Sequence, residues 1–538
     1  MTKPPWDHPL AQKLTQLPKV RLTFDESVKK VRNRLRRYRA DSIVQCALKQ
    51  LHTAQLGSKM DELQTWPWLS CLLIKLVLED KSIAIDRGEV CALDTFRYCL
   101  QTLWDAQGSR ERKDDAPGNV NRMIRSLIQA QFVFQGRPNW DFLRWPALIA
   151  QLPSDHVCHR FFTDRFGVNP KAFILIIYAA HVPVLSNERV INLADFSPLR
   201  KLLGSNVDRV LGEFSRSVSG LRVELQAHRQ AAVNGGQVAR RHYELNEPPW
   251  LMNYPLLQVS NTSLVVWHPA VFTRGMEQSV HRRLSERGGA YAQEFSKVFE
   301  QYVVQQIEDA ELAYLSENDY WAAAGKDKNA MEAVIYQDGC NVLIDAKLTV
   351  YSEEVALSTQ SPVVWQALKS VRKAMDKAWN VSASLRQPGL PDWPCTKAQE
   401  DFLIVVTSQP VYCATGEHFR RIFKHDIFDP EKLAARRQRT PTEEQLRYLP
   451  LKNIVIASIG EWEQLMGCLT RGDIDLVPFL REVAAANQNG TTSVMFLGQM
   501  LEDKASGQSL SSLIEKARDD AESELMHMLS DGHATSSQ

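Results

Sequence analysis

Three residues of this chain have types and spacing that could do chemistry together. Asp345 and Lys347, in Asp345-Ala346-Lys347, are two positions apart, so in a strand both side chains leave the same face. Val342, Ile344 and Ala346 then point the other way, into a core. Alternating residues on either side of Asp338-Gly339 predict a hairpin over 332–351, with Gln337 opposite Cys340. Counting outward from that turn, Glu332 falls opposite Asp345. Two carboxylates and one ammonium group would converge at one end of a sheet. Paired carboxylates suit a hard divalent cation such as Mg²⁺ or Mn²⁺, which prefers oxygen ligands. Such a cation acidifies a bound water and neutralises charge on a phosphate oxygen. A neighbouring ammonium group can orient the water or stabilise developing negative charge. The chemistry expected of this set is phosphodiester hydrolysis.

The elements that must hold these residues are legible around them. Buried-type strands are expected at 402–408 and 453–459, and helices at 290–310, 362–379 and 460–471, with Pro362 suited to a first helical turn. Two short strands flank Ser260-Asn261-Thr262 within 255–269. From residue 290 the order is helix, strand, strand, helix, strand, insertion, strand, helix, a mixed α/β core. Before it, from Leu14 to Leu245, the periodicity is helical and strand signals are nearly absent. The polar stretch 107–119 reads as an exposed loop. The expected organisation is an all-α recognition or regulatory region over 1–245, an α/β domain over 246–500 with an insertion at about 410–450, and a helical or disordered tail over 501–538. The fold class is α+β overall.

Glu332…Asp345-Ala346-Lys347 resembles the core motif of the PD-(D/E)xK nuclease superfamily, an acid on one strand followed by (D/E)-x-K on the next. The pattern has Asp preceded by Pro where this chain has Glu332 preceded by Met331. The resemblance implies a restriction-endonuclease-like αβββαβ core and Mg²⁺- or Mn²⁺-dependent cleavage of nucleic acid, DNA more often than RNA. It implies metal binding by Glu332, Asp345 and Glu300, the last on the helix before the motif. Lys347 would act on the attacking water, and Gln366 on the following helix, with Gln360 in reserve, would be accessory. A large helical region fused to such a domain resembles bacterial antiviral, restriction-like effectors, in which the helices bind a protein trigger. An RNA- or tRNA-cleaving nuclease and a non-catalytic nucleic-acid-binding module are the alternatives. Asp/Glu-x-Lys also occurs at Glu79, Glu111 and Glu502, but only Asp345 ends an apolar strand with an acid on its partner.

Two basic regions are candidate nucleic-acid contacts. The first, 29–39, holds seven basic residues in eleven, among them Arg34, Arg36 and Arg37. The second, 418–439, interleaves Arg420, Arg421, Arg436 and Arg437 with Phe419, Phe423 and Phe428. Each reads equally as a solvated or packed amphipathic face. With 64 basic and 63 acidic residues the net charge is +1, which excludes a globally basic coat protein but not local basic faces. Nine scattered cysteines with no CxxC pair argue against disulfide frameworks and zinc ribbons, and Asp155–His159 lacks a second ligand pair. No P-loop and no GxSxG elbow is present. The N-terminal stretch has no apolar core and no apolar run is long enough to span a bilayer, so a cytoplasmic protein without membrane attachment is expected. Double-strand cleavage from a single site would favour a homodimer.

Overall fold

A computed structural model describes residues 22–53, 65–106, 130–134, 140–234, 244–245, 247–286, 289–349, 368–411, 415–417, 441–488, 496–507 and 510–535. The protein is a mixed α+β chain that divides into two compact units, one from residues 1–115 and 216–251 and the other from 116–215 and 252–538. The division does not fall at 245. Residues 116–215, expected as part of one helical region, pack with the C-terminal half instead.

The first unit is helical among its described residues. Its helices are α1 (Phe24–Leu35), α2 (Ala40–Thr53), α3 (Pro67–Glu79) and α4 (Leu93–Ala106), followed much later by Val218–Asn234. Thr23 and Glu26 form a capping box that starts α1, and Phe24, Val28, Val31 and Leu35 bury its inner face. In α3, Trp68 through Ile74 are all buried, which explains a segment with little amphipathic contrast.

The second unit is built on a five-stranded sheet. Its helices and strands begin with α5 (Arg144–Ala150), α6 (Val157–Phe166), α7 (Pro170–Leu185) and β1 (Val190–Asn192). β2 (Leu256–Gln258) and β3 (Ser263–Val266) form the expected hairpin, and β1 pairs antiparallel with β3. That pairing removes the all-α description from the 1–245 region: a strand from it is bonded to one from beyond it. The apolar run of α7 is a core element, with Phe173 through Tyr178 buried. Next come α8 (Pro269–Ser285), α9 (Gly289–Asp309), β4 (Tyr314–Ser316), α10 (Glu317–Ala324), β5 (Ala333–Gln337), β6 (Cys340–Lys347), α11 (Lys369–Ser384), β7 (Glu400–Thr407), β8 (Ile454–Ser458), α12 (Ile459–Thr470), α13 (Leu476–Gln488) and α14 (Ser512–Thr535). The strand order is β4-β5-β6-β7-β8, antiparallel through β6 and parallel from β6 to β8.

β4 has no counterpart in the sequence reading, because three half-buried residues carry no measurable alternation. The helix expected over 362–379 is described from Lys369 and runs on to Ser384. The last helix, α14, continues through Thr535, past the point near Met528 where polarity suggests disorder; Ile514 and Ala521 anchor its N-terminal half in the core.

Both faces of the sheet are covered. Val342, Ile344 and Ala346 of β6 join Ile404 and Val406 of β7 in a core with Phe299 and Val303 of α9. Leu343, Leu403 and Val405 face the other way, onto Val371, Ala374, Met375 and Ala378 of α11. Asp345 and Lys347 share parity with Leu343, so they belong to the α11 face.

Candidate active site

The β5–β6 hairpin sets the geometry. Asp338 (φ 52°) and Gly339 (φ 74°) occupy the left-handed region at successive positions, as a two-residue type I′ turn requires. The ladder then pairs Gln337 with Cys340 and Ala333 with Ile344, which sets Glu332 across from Asp345. Any one-residue slip would turn Asp345 into the opposite core.

The side chains meet as that register demands. Asp345 is fully buried and Glu332 nearly so. Lys347 Nζ donates to Asp345 Oδ1 and lies 3.7 Å from Glu332 Oε1. A second ammonium group arrives from α11: Lys377 Nζ is 3.5 Å from Glu332 Oε1 and 3.7 Å from Asp345 Oδ1. The other oxygen of each carboxylate, Glu332 Oε2 and Asp345 Oδ2, is buried and accepts from no lysine, hydroxyl or amide donor, and the two carboxyls lie within hydrogen-bond reach of each other. Burial first, and the charge of Asp345 second, push the Glu332 carboxyl well above the usual carboxylate range. Burial works to lower the Lys347 ammonium, but Asp345 and Glu332 outweigh it and raise it, so it stays charged.

Buried carboxylate oxygens without donors fit a divalent cation, since leaving them bare carries a desolvation cost that a cation would remove. Two protein carboxylates also suit Mg²⁺, which keeps several waters. Glu332 and Asp345 are the residues that would hold it. No set of three or more Asp, Glu, His or Cys side chains is gathered as a metal-ligand group among the described residues. Glu300 lies on α9, the helix that covers the opposite face of the sheet from Asp345, and its Oε1 accepts from Ser296 Oγ at 3.0 Å. Its charge still bears on Lys347 and on Glu317 at the start of α10.

Lys377 and Glu317 escaped the sequence reading. Burial raises the Glu317 carboxyl, while Lys377 opposes that rise. No motif spacing ties either residue to Asp345; the only available signal for Lys377 was its place on the helix after the motif. Gln366, Gln360, Arg420, Arg421, Arg436 and Arg437 lie outside the described residues.

The N-terminal basic run is largely engaged within its own unit. Arg36 pairs with Asp80 at 2.9 Å, and Arg32 with buried Glu79 at 2.7 Å. The Arg34 guanidinium lies 4.4 Å from the centre of the Tyr98 ring, and Arg37 bonds the Tyr38 hydroxyl. In the Asp155–His159 cluster, His156 is the N-cap of α6, its Nδ1 accepting from the Cys158 amide at 3.2 Å. Among the described residues no single helix is long and apolar enough to cross a membrane.

Comparison with protein-family models, with curated proteins and with solved structures gave no match. The functional reading therefore rests on the site itself.

Proposed function

We propose that the second unit is a metal-dependent nuclease that hydrolyses phosphodiester bonds, with DNA as the expected substrate and the first unit as its recognition or regulatory part. The observation that carries this reading is the pair of buried carboxylates, Glu332 and Asp345, each with a bare oxygen, bracketed by Lys347 and Lys377. The sheet supports it: α9, the antiparallel strands β4, β5 and β6, α11 and the parallel strand β7 occur in the order αβββαβ that the PD-(D/E)xK resemblance implies, with the short helix α10 inserted between β4 and β5.

Each residue then has a role it can perform from its position. Asp345 and Glu332 would hold Mg²⁺ or Mn²⁺, which supplies Lewis acidity toward a phosphate oxygen and a more acidic water. Lys347, fixed by Asp345, places an ammonium group where negative charge grows on the phosphorus oxygens. Lys377 approaches both carboxylates from the helix side, where its charge opposes the rise that burial and Asp345 impose on the Glu332 carboxyl.

Incubation of the full chain with supercoiled plasmid, linear duplex and tRNA, with Mg²⁺ or with EDTA, tests the reading. Mg²⁺-dependent plasmid cleavage that disappears in Asp345→Asn and Lys347→Ala is expected. Cleavage retained by purified Asp345→Asn, or binding of nucleic acid without cleavage by the wild type, would overturn it. Cleavage of tRNA alone would move the substrate to RNA.

A further inference from the structure

Lys347 and Lys377, which hold the buried carboxylate pair, line a cleft together with Asn329, Lys373, Asp376 and Asn380. Lys373 and Lys377 are four residues apart on α11 and rise from one helix face, roughly 6 Å apart along its axis. Lys347 meets them from the end of β6. The three ammonium groups differ in what they are committed to. Lys347 and Lys377 are held by Glu332 and Asp345. Lys373 is exposed and has no ion-pair partner among the described residues. Asn380, one turn beyond Lys377, accepts from Gln445 Nε2 through its Oδ1 at 3.1 Å, which leaves its amide NH₂ as the donor end.

An uncommitted ammonium and a free amide donor beside a buried acidic pair are suited to an anion that extends past the reacting centre. A single small anion would meet either the acidic pair or Lys373. A strand carrying one phosphate per nucleotide meets both, with neighbouring phosphates spread along the helix face. We propose that α11 forms a phosphate-backbone track, in which Lys373 and Asn380 hold phosphates of a nucleic-acid strand flanking the one presented to Glu332 and Asp345. Lys373 contributes affinity and register but no sequence preference, because phosphates are alike at every step. This inference rests on the nuclease reading of the carboxylate pair.

The test is fluorescence anisotropy of the full chain with a short fluorescein-labelled DNA duplex, with Ca²⁺ in place of Mg²⁺ to hold off cleavage. Lys373→Ala should weaken binding about fivefold to tenfold and lower the slope of log affinity against log salt by about 1. Lys373→Glu should weaken it further, and Asn380→Ala should weaken it without changing the salt slope. In cleavage assays with Mg²⁺, Lys373→Ala should raise KM by a similar factor and leave kcat unchanged, which a general disturbance of the site would not do. Unchanged affinity and salt slope in Lys373→Ala and Lys373→Glu, with wild-type cleavage present, would overturn the track and leave the nuclease reading standing. A wild type that neither binds nor cleaves nucleic acid would overturn both.

Discussion

Two clusters of buried charge in the second unit make an instructive contrast. In the first, Arg144 is completely buried and every direction around it is answered: Glu463 at 2.7 Å, Glu277 at 2.7 Å and Asp141 at 2.9 Å. Tyr302 donates its one hydroxyl proton to Glu463, and Ser511 Oγ, 2.9 Å from the Tyr302 oxygen, donates to it. This node ties α5, α8, α9 and α12 to the segment before α14. In the second cluster, Glu332 and Asp345 share two lysines yet keep one bare oxygen each. The first has spent its hydrogen-bonding capacity on the fold. The second keeps capacity that the fold does not use, beside the lysines that line a cleft. A buried charge that is fully answered positions helices; one left partly unanswered is a candidate for binding.

That contrast can be broken by experiment. The largest effect belongs to the reserve cluster: Glu332→Gln and Asp345→Asn should each lower cleavage by about three orders of magnitude or more, since the cation and the charge it stabilises are lost together. The melting temperature of Glu332→Gln should hold or rise, because burial already disfavours the charge on Glu332. A large loss of stability in that variant would put this cluster in the same class as Arg144. The reverse is expected of Arg144→Met, which strands three acids and should cost about 3–5 kcal/mol in denaturant unfolding. If Arg144→Met unfolds at the wild-type midpoint, the node does not hold the helices together.

A third change probes burial without an answering charge. His281 sits fully enclosed beside Trp145, Tyr291 and Phe295, and burial lowers its pKa from 6.5 to about 4. As pH falls below 6.5, the unfolded chain takes up a proton that the folded chain refuses. Stability present above that pH is therefore lost progressively down to about pH 4, by roughly 3 kcal/mol. His281→Phe should flatten that part of the pH–stability curve; an unchanged acid limb would show that the residue is reached by solvent. The smallest effect is expected of Lys377→Gln, which removes one of two ammonium groups from the carboxylates and should lower cleavage about tenfold, or about 1.4 kcal/mol of barrier. Loss as deep as that of Asp345→Asn would instead place Lys377 on the reacting phosphate.

Sequence legibility followed the range of the interactions involved. The alternation in 340–347 and the Asp338-Gly339 turn are local, and together they place Glu332 across from Asp345. β7 and β8 announce themselves by unbroken apolar runs, and α12 by the three- and four-residue spacing of Ile459, Trp462, Leu465 and Met466. β4 does not, since three residues paired only with β5 take their shape from that partner. Glu300 drew attention through its place before the motif, yet the sheet stands between its helix and the face that carries Asp345. In the basic run 29–39, Glu79, Asp80 and Tyr98 engage Arg32, Arg36 and Arg34 within the first unit, while Arg34, Arg36 and Arg37 stay exposed.

What the sequence alone determined is the acidic pair and the lysine beside it, because a period of two and a two-residue turn fix register without help from the rest of the chain. Only the tertiary structure decided that Lys377 and Lys373 line the cleft beside Lys347, and that residues 116–215 belong with the sheet rather than with the helices before them. Those choices depend on which apolar faces bury one another across long stretches of chain, and no local spacing encodes them.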